Sequence, residues 1–337
     1  MNHRTPFRTT LSRRQALGLA AAGGAALLLP QATHATTRLR FVTPFNFSLS
    51  YSPVFYAVTQ GYFAKEGLDV EVINGKGASL AAQLVIASQA DVGHTGSSNY
   101  IIAKVNSAAP LIAIATFSQV SPFYLISSPA APIKAAADMK GKTIGVASLG
   151  GSQFGTLNNV LRLGGVDPDS VNKVTTNDGP ASYGLIQAKR IDGYVGPIHT
   201  LVHLPDAVKM PLDDGLPSQV YVVRERDLPK NEDMYVKFLG AVHRAASELL
   251  DAKDVKPMIA SISSKFQLVD VAQPDIAVEA LRLYLAGLVA KGRQNLLRNV
   301  PASWDYAARM MAETRVIDKK VDAGTLYTNR LRDRINA

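Results

Sequence analysis

The run from Ser52 to Ile73, SPVFYAVTQGYFAKEGLDVEVI, decides the fold. Ser52 to Thr59 is apolar enough for a buried helix, and Gly61 stands where a helix stops. Tyr62 to Glu66 adds a further turn that Gly67 stops in the same way. Leu68-Asp69-Val70-Glu71-Val72-Ile73 then alternates apolar and acidic residues, the period of a strand with one face buried. Upstream, Leu39 to Thr43 reads as a buried strand. Downstream, Gly75 and Gly77 make a loop and Ser79 can cap a helix from Leu80 to Ser88. Ala90 to Gly93 is a short strand that ends in the polar stretch His94 to Asn99. A helix to about Asn106 and a strand from Leu111 to Thr116 complete the unit.

From Phe123 the pattern begins again. Strands are predicted at Phe123 to Ser127, Lys142 to Ala147, Val171 to Thr175 and Ile191 to Val195. Helices are predicted at Lys134 to Met139, Phe154 to Leu163 and Ala181 to Lys189. After Pro205 the chain reads as irregular until the strand Gln219 to Arg224. The remainder is helical: Asn231 to Ala252, Val255 to Phe266, Pro274 to Lys291, Ser303 to Glu313 and Ala323 to Asn336. Two runs of alternating strand and helix mean two α/β units. With crossings near Phe117 to Ser121 and Pro217 to Val220, the first lobe is discontinuous, 36–118 plus 219–337. The second lobe is 119–218. Two strands would join the lobes, with a cleft between.

The first 35 residues read as an export signal rather than fold. Arg4, Arg8, Arg13 and Arg14 form a basic start without acids, and Ala16 to Leu29 is an apolar run shorter than the about 20 residues of a membrane span. Pro30 breaks the run. Thr33-His34-Ala35 offers the small residues of a cleavage site, which sets the mature start near Thr36. Ser12-Arg13-Arg14-Gln15-Ala16-Leu17 resembles a twin-arginine signal, with Ala16 where an aromatic is usual. The chain has no cysteine, so disulfides, thiolate metal sites and a lipid-bearing cysteine are excluded. A soluble periplasmic protein is therefore expected. Four of the nine net positive charges lie in the signal, which leaves +5 scattered over the mature chain. No basic stripe of a nucleic-acid reader is visible.

Several of these residues carry a family resemblance. Tyr56 to Val70 is similar to an "A…GYF…EGLDVE" stretch, and Ala87 to Gly93 to an "A.G.ADVG" turn. Asp138 to Val146 resembles a "DLKGK.IGV" strand, and Ile186 to Gly193 an "AL..G.IDA" helix and strand. The family is that of periplasmic binding proteins for nitrate, sulfonates, taurine and thiamine-precursor pyrimidines. The resemblance spans roughly Leu39 to Pro197 and implies the two-lobed type II periplasmic-binding fold with a helical C-terminal tail. It also implies a monomer that carries a small-molecule ligand to the permease of an ABC importer. A related fungal branch that makes the thiamine pyrimidine relies on a cysteine-rich motif, which this chain lacks.

Candidate ligand contacts follow the strand ends, where α/β folds bind ligands. Phe45 to Tyr51 follows the first strand and offers Asn46, Phe47, Ser50 and Tyr51, aromatic rings beside small polar groups. Thr95, Gly96 and Ser97 offer hydroxyls and backbone donors without fixed charge. Gly151, Ser152 and Gln153 open a helix, whose first N–H groups are free and carry partial positive charge. Ser118 at the first crossing, and Asp178 and Pro197 after later strands, complete the set. Each of these also has a plain structural reading as a cap or a turn.

Other motifs carry less. Gly141-Lys142-Thr143 lacks the earlier glycine of a phosphate loop, since Ala136 stands there, and enters a strand. Gly150 to Gly155 misses the spacing of a nucleophile elbow by one residue. His199 and His203 have the spacing of metal ligands on a helix, but no Glu follows His199, and Pro197 and Pro205 bracket the pair. His94 reads as structural. No catalytic triad or carboxylate pair is legible, so no catalytic residue, cofactor or metal is expected.

The sequence thus predicts a non-enzymatic binding module whose lobes close over a small organic or anionic solute. The alternative is a secreted α/β enzyme with an active site between the lobes. The few charges among the candidate contacts argue against a highly charged ligand. The paired guanidiniums of the export signal are open to test, because lysine keeps the charge and loses the planar fork. Arg13→Lys with Arg14→Lys is expected to hold the precursor in the cytoplasm, as judged by immunoblots of fractionated cells. Unchanged export would assign the general secretion route.

Overall fold

A computed structural model of the chain describes residues 36–335. The export signal assigned above lies outside them. Ten strands form two five-stranded sheets. The first contains β1 (Thr37–Val42), β2 (Leu68–Ile73), β3 (Val92–Gly96), β4 (Leu111–Ser118) and β10 (Gln219–Arg224), in the order β2-β1-β3-β10-β4. The second contains β5 (Phe123–Ser127), β6 (Thr143–Val146), β7 (Asn172–Thr175), β8 (Gly193–Pro197) and β9 (Val208–Pro211), in the order β7-β6-β8-β5-β9.

The two sheets share a plan. Each has three parallel strands followed by one antiparallel strand. In the first sheet that strand is β10, in the second β5. Each is the strand by which the chain has just crossed over from the other sheet. The crossings run from Ser118 to Phe123 and from Pro211 to Gln219. Among the described residues eleven helices of α type pack around the sheets: α1 (Ser52–Thr59), α2 (Tyr62–Lys65), α3 (Ala78–Ile86), α4 (Ser97–Asn106), α5 (Ser152–Leu163), α6 (Tyr183–Gln187), α7 (Glu232–Asp251), α8 (Lys256–Ser263), α9 (Pro274–Leu288), α10 (Pro301–Glu313) and α11 (Arg330–Asp333). None of those among the described residues is long and apolar enough to cross a membrane.

The opening run folds as its residues require. Pro53 occupies the first turn of α1, where its missing N–H costs nothing. Gly61 and Gly67 both have left-handed φ, +66° and +72°, so each ends its helical turn where a side chain would be strained. Arg40 binds Asp91 through two guanidinium nitrogens, at 3.1 and 3.0 Å, and ties β1 to the turn before β3.

The first sheet buries an aromatic column. Phe63 stacks on Phe238 of α7 at 5.4 Å between ring centres, and Phe238 lies 5.6 Å from Phe41 of β1. Phe41 meets Tyr221 of β10 edge to face at 5.3 Å, and Tyr221 stacks on Phe117 of β4 at 5.3 Å. The C-terminal helices complete the other face, with Trp304 fully buried beside Tyr100.

Three local expectations differ from the structure. The stretch His94 to Gly96 is strand, not turn, because β10 pairs with it from Gln219 to Val222. Val208–Pro211 is an edge strand that the sequence hides, since Lys209 and Pro211 break any apolar alternation, and proline is tolerated only at such an edge. The helix expected over Ala323 to Asn336 is reduced to short turns. Backbone groups around Tyr327 bond to β4 instead: Ala113 N donates to Leu326 O at 3.2 Å, and Thr328 N donates to Ala113 O at 2.9 Å.

The aromatic column carries a stability test. Phe238 is fully buried among three rings, so Phe238→Ala is expected to cost about 3–5 kcal/mol. Urea denaturation followed by circular dichroism measures it. A loss under about 1 kcal/mol would show that the column collapses without a cavity.

Candidate functional site

The carboxyl ends of the parallel strands in both sheets converge on one cavity of about 410 Å³. From the first sheet come the segment after β1, the side chain of His94 in β3, the end of β4 and the start of β10. From the second come the start of α5, the loop after β7, the end of β8 and the turn Ile198–His203. A third wall is the segment around Asp270 with α9, from the C-terminal helical region.

Seven of the thirteen predicted contacts line this cavity: Asn46, Ser50, Tyr51, Ser118, Gln153, Asp178 and Pro197. Their hydrogen bonds leave some groups available. Gln153 accepts from Ala147 N at 2.8 Å through its carbonyl oxygen, which aims its amide NH2 elsewhere. Ser118 donates to Val120 O at 2.7 Å, so its proton is engaged. Ser50 shares a 2.7 Å contact with Ser48.

The other six are not brought to the cavity. Phe47 packs against Phe55 and Phe266, at 5.2 and 5.7 Å between ring centres, because its ring completes the core beneath α1. Thr95 is buried and donates to Ala78 O at 3.0 Å. Ser97 gives its backbone N–H to Ser218 O at 2.9 Å. Gly96, Gly151 and Ser152 lie in a seam where the two helix starts, α4 and α5, meet each other. Asn99 donates to Gly150 O at 2.9 Å across it. Deeper in the seam, Asn159 Nδ2 donates to Ser98 Oγ at 2.9 Å and to Asp214 at 3.0 Å. The rule that helices start after strands locates these residues. It does not say that one helix start will cover another.

Several lining residues carried no sequence signal. Asp270 lies in a loop between helices, 221 positions beyond its partner Leu49, whose backbone N–H reaches both carboxylate oxygens at 3.0 Å. Tyr284 of α9 bonds His199 Nδ1 across the cavity mouth, which joins the C-terminal helices to the second sheet. His199 therefore serves a tyrosine contact. Among the described residues no group of three or more His, Cys, Asp or Glu side chains is placed to hold a metal ion.

Burial sets the charge states. His94 is 2% exposed and ringed by Tyr51, Phe117, Tyr221 and Phe41. Desolvation pushes its pKa down to about 3, against a smaller upward pull from Gln219, so the imidazole is neutral. His199 is pushed down to about 4, first by burial and then by His203. Asp270 is pushed up to about 6, chiefly by burial, with the Leu49 N–H opposing and Asp178 adding to the rise. Asp178 is also raised by burial. Burial raises the phenols of Tyr51 and Tyr284 as well.

The family model described as NMT1/THI5 like matches residues 48–254. The protein YtlA of Bacillus subtilis (strain 168) is 24% identical over 246 residues, which is 70% of this chain and 72% of that one. The alkanesulfonate-binding protein SsuA of Xanthomonas axonopodis pv. citri, solved bound to MOPS, superposes with a TM-score of 0.65 at 14% identity, over 87% of this chain and 98% of that one. The periplasmic nitrate-binding protein NrtA of Synechocystis PCC 6803 gives 0.64 at 15% identity, over 89% and 88%. The desulfurization enzyme DSZB shares the fold, at 0.58 and 12% identity over 88% and 98%.

The seam gives a direct test of closure. A Cβ added at Gly96 would lie 2.6 Å from Ser152 Oγ, 2.9 Å from Ser152 Cβ and 3.0 Å from Asn99 Oδ1. The backbone there, φ −72° and ψ 140°, suits alanine. Gly96→Ala is therefore expected to fold and to hold the two sheets apart, with a larger radius of gyration in small-angle scattering. A profile identical to the wild type would mean that the seam absorbs the methyl group locally.

Proposed function

The chain belongs to the NMT1/THI5-like family, and from that premise we propose that it is the periplasmic capture component of an ABC-type importer. It takes a small solute between its two lobes, closes over it and presents the closed form to a membrane permease. The observation that carries this reading is the cavity walled by strand ends of both sheets. A ligand in it contacts both lobes at once, so its binding energy favours the closed arrangement. The Tyr284–His199 bond and the Asn99–Gly150 bond exist only when the lobes are together, and they add to that preference.

The lobe division that follows is 36–118 plus 219–337 for one body and 119–218 for the other, with the crossings as hinges. Export through the twin-arginine route places the mature protein in the periplasm as a monomer. A second reading, a secreted enzyme, draws on the likeness of fold to DSZB. In a capture protein the ligand leaves as it came.

Protein isolated from the periplasm, denatured and analysed by mass spectrometry, is expected to release one small molecule in about equimolar amount. Incubated with fresh protein, that molecule is expected to return unchanged and to raise the unfolding temperature. Conversion into a second compound would establish the enzyme instead.

A further inference from the structure

The formal charges that line the cavity are of one sign. Two carboxylates, Asp178 and Asp270, line it, and no lysine or arginine lines it among the described residues. Its three histidines are His94, His199 and His203. His94 and His199 are held neutral by burial, so they supply no counter-charge to an anion. The starts of α4 and α5 are turned into the seam, and of their residues the side chain of Gln153 reaches the cavity; the segments that open α1, α6 and α9 do line it.

The two carboxylates sense one another. Asp178 raises the pKa of Asp270, and both raise the phenols of Tyr51 and Tyr284. They therefore act on one shared space. Asp270 is 8% exposed, and one backbone N–H is its hydrogen-bond partner, which leaves a carboxylate's remaining acceptor capacity open. Among neutral polar side chains such as Asn46, Asn177 and Gln219, the walls also carry the aromatic faces of Phe45, Tyr51, Phe117, Phe123 and Tyr284. Such faces attract a cation as well as they cover a ring.

Resting on the capture reading above, we infer that the cavity takes a compact organic cation: a ring or short chain bearing an ammonium or amidinium group that donates to Asp178 and Asp270. The rings of Tyr51 and Phe117 cover its apolar part. Sulfonates and nitrate, with acceptor oxygens only and a negative charge, meet two carboxylates and no fixed positive group.

Proton linkage has a defined sign. Cation capture needs Asp270 ionised, and its pKa in the free protein lies near 6. Affinity therefore rises as pH passes upward through about 6 and levels above it. Besides Asp178, the titratable groups that line the same cavity as Asp270 are Tyr51 before α1, Tyr284 of α9, His94 of β3, and His199 and His203 of the turn after β8.

The test uses three probes of nearly one shape: benzamidine, neutral benzamide and anionic benzenesulfonate, each in a thermal-shift series and by calorimetry on the mature protein freed of ligand. Benzamidine is expected to raise the unfolding temperature and the other two to leave it in place. Asp178→Asn and Asp270→Asn, confirmed as folded by circular dichroism, are each expected to weaken benzamidine about tenfold, by loss of a charge-assisted bond. Benzamidine affinity in the wild type is expected to increase between pH 5 and pH 7. An equal or larger shift with benzenesulfonate, benzamidine binding that survives both substitutions, or no response to any probe would overturn the cation assignment. The capture reading fails separately, if periplasmic protein releases no small molecule.

Discussion

Everything in this fold depends on where β10 pairs. Gln219–Arg224 enters the first sheet between β3 and β4 and bonds antiparallel to both. Without it the sheet has two pieces, and backbone groups of β3 and β4 would be left unpaired beside the core. β5 plays the matching part in the second sheet. These two strands carry the chain into each sheet from the other, so the same hydrogen bonds that complete each sheet also anchor the two crossings. The cavity is a result of that pairing. It lies at the strand ends that the two crossings bring face to face.

Much of this was readable in the sequence, because the signals are local. Glycine stops at 61 and 67, the alternation from Leu68 to Ile73, and the restart at Phe123 each specify their own neighbourhood. Strand ends then indicate where contacts lie, and Asn46, Ser50, Tyr51, Ser118, Gln153, Asp178 and Pro197 reach the cavity wall. What was hidden is long-range. The helical region from Asn231 onward shows amphipathic faces, and a face says that a helix is covered without saying by what. Asp270 and Tyr284 therefore carried no sign of their place. Gly151 and Ser152 illustrate the converse: the helix start is real, but its direction is set by another helix start 50 residues away in sequence.

The polar chemistry of the site is governed by dryness more than by proximity of charges. His94 and His199 lose their protons because water is excluded from them, and Asp270 keeps its own to a higher pH for the same reason. A cavity made this way has acceptors it can switch on and no donors of fixed charge. A likeness of fold to sulfonate- and nitrate-binding proteins carries no information about that balance, which rests on a handful of side chains at strand ends.

The segment Leu326–Thr328 lies along the outer side of β4, the last strand in its sheet. An unprotected flank of this kind is a template for pairing with another molecule, and proteins that leave one bare tend to aggregate. Here the guard is supplied by residues that follow every residue of the cavity in the chain. Until they are made, β4 can recruit a neighbour instead. Solubility of the nascent protein is thus tied to their synthesis, and a truncation that spares every residue of the cavity would still yield a chain prone to self-association.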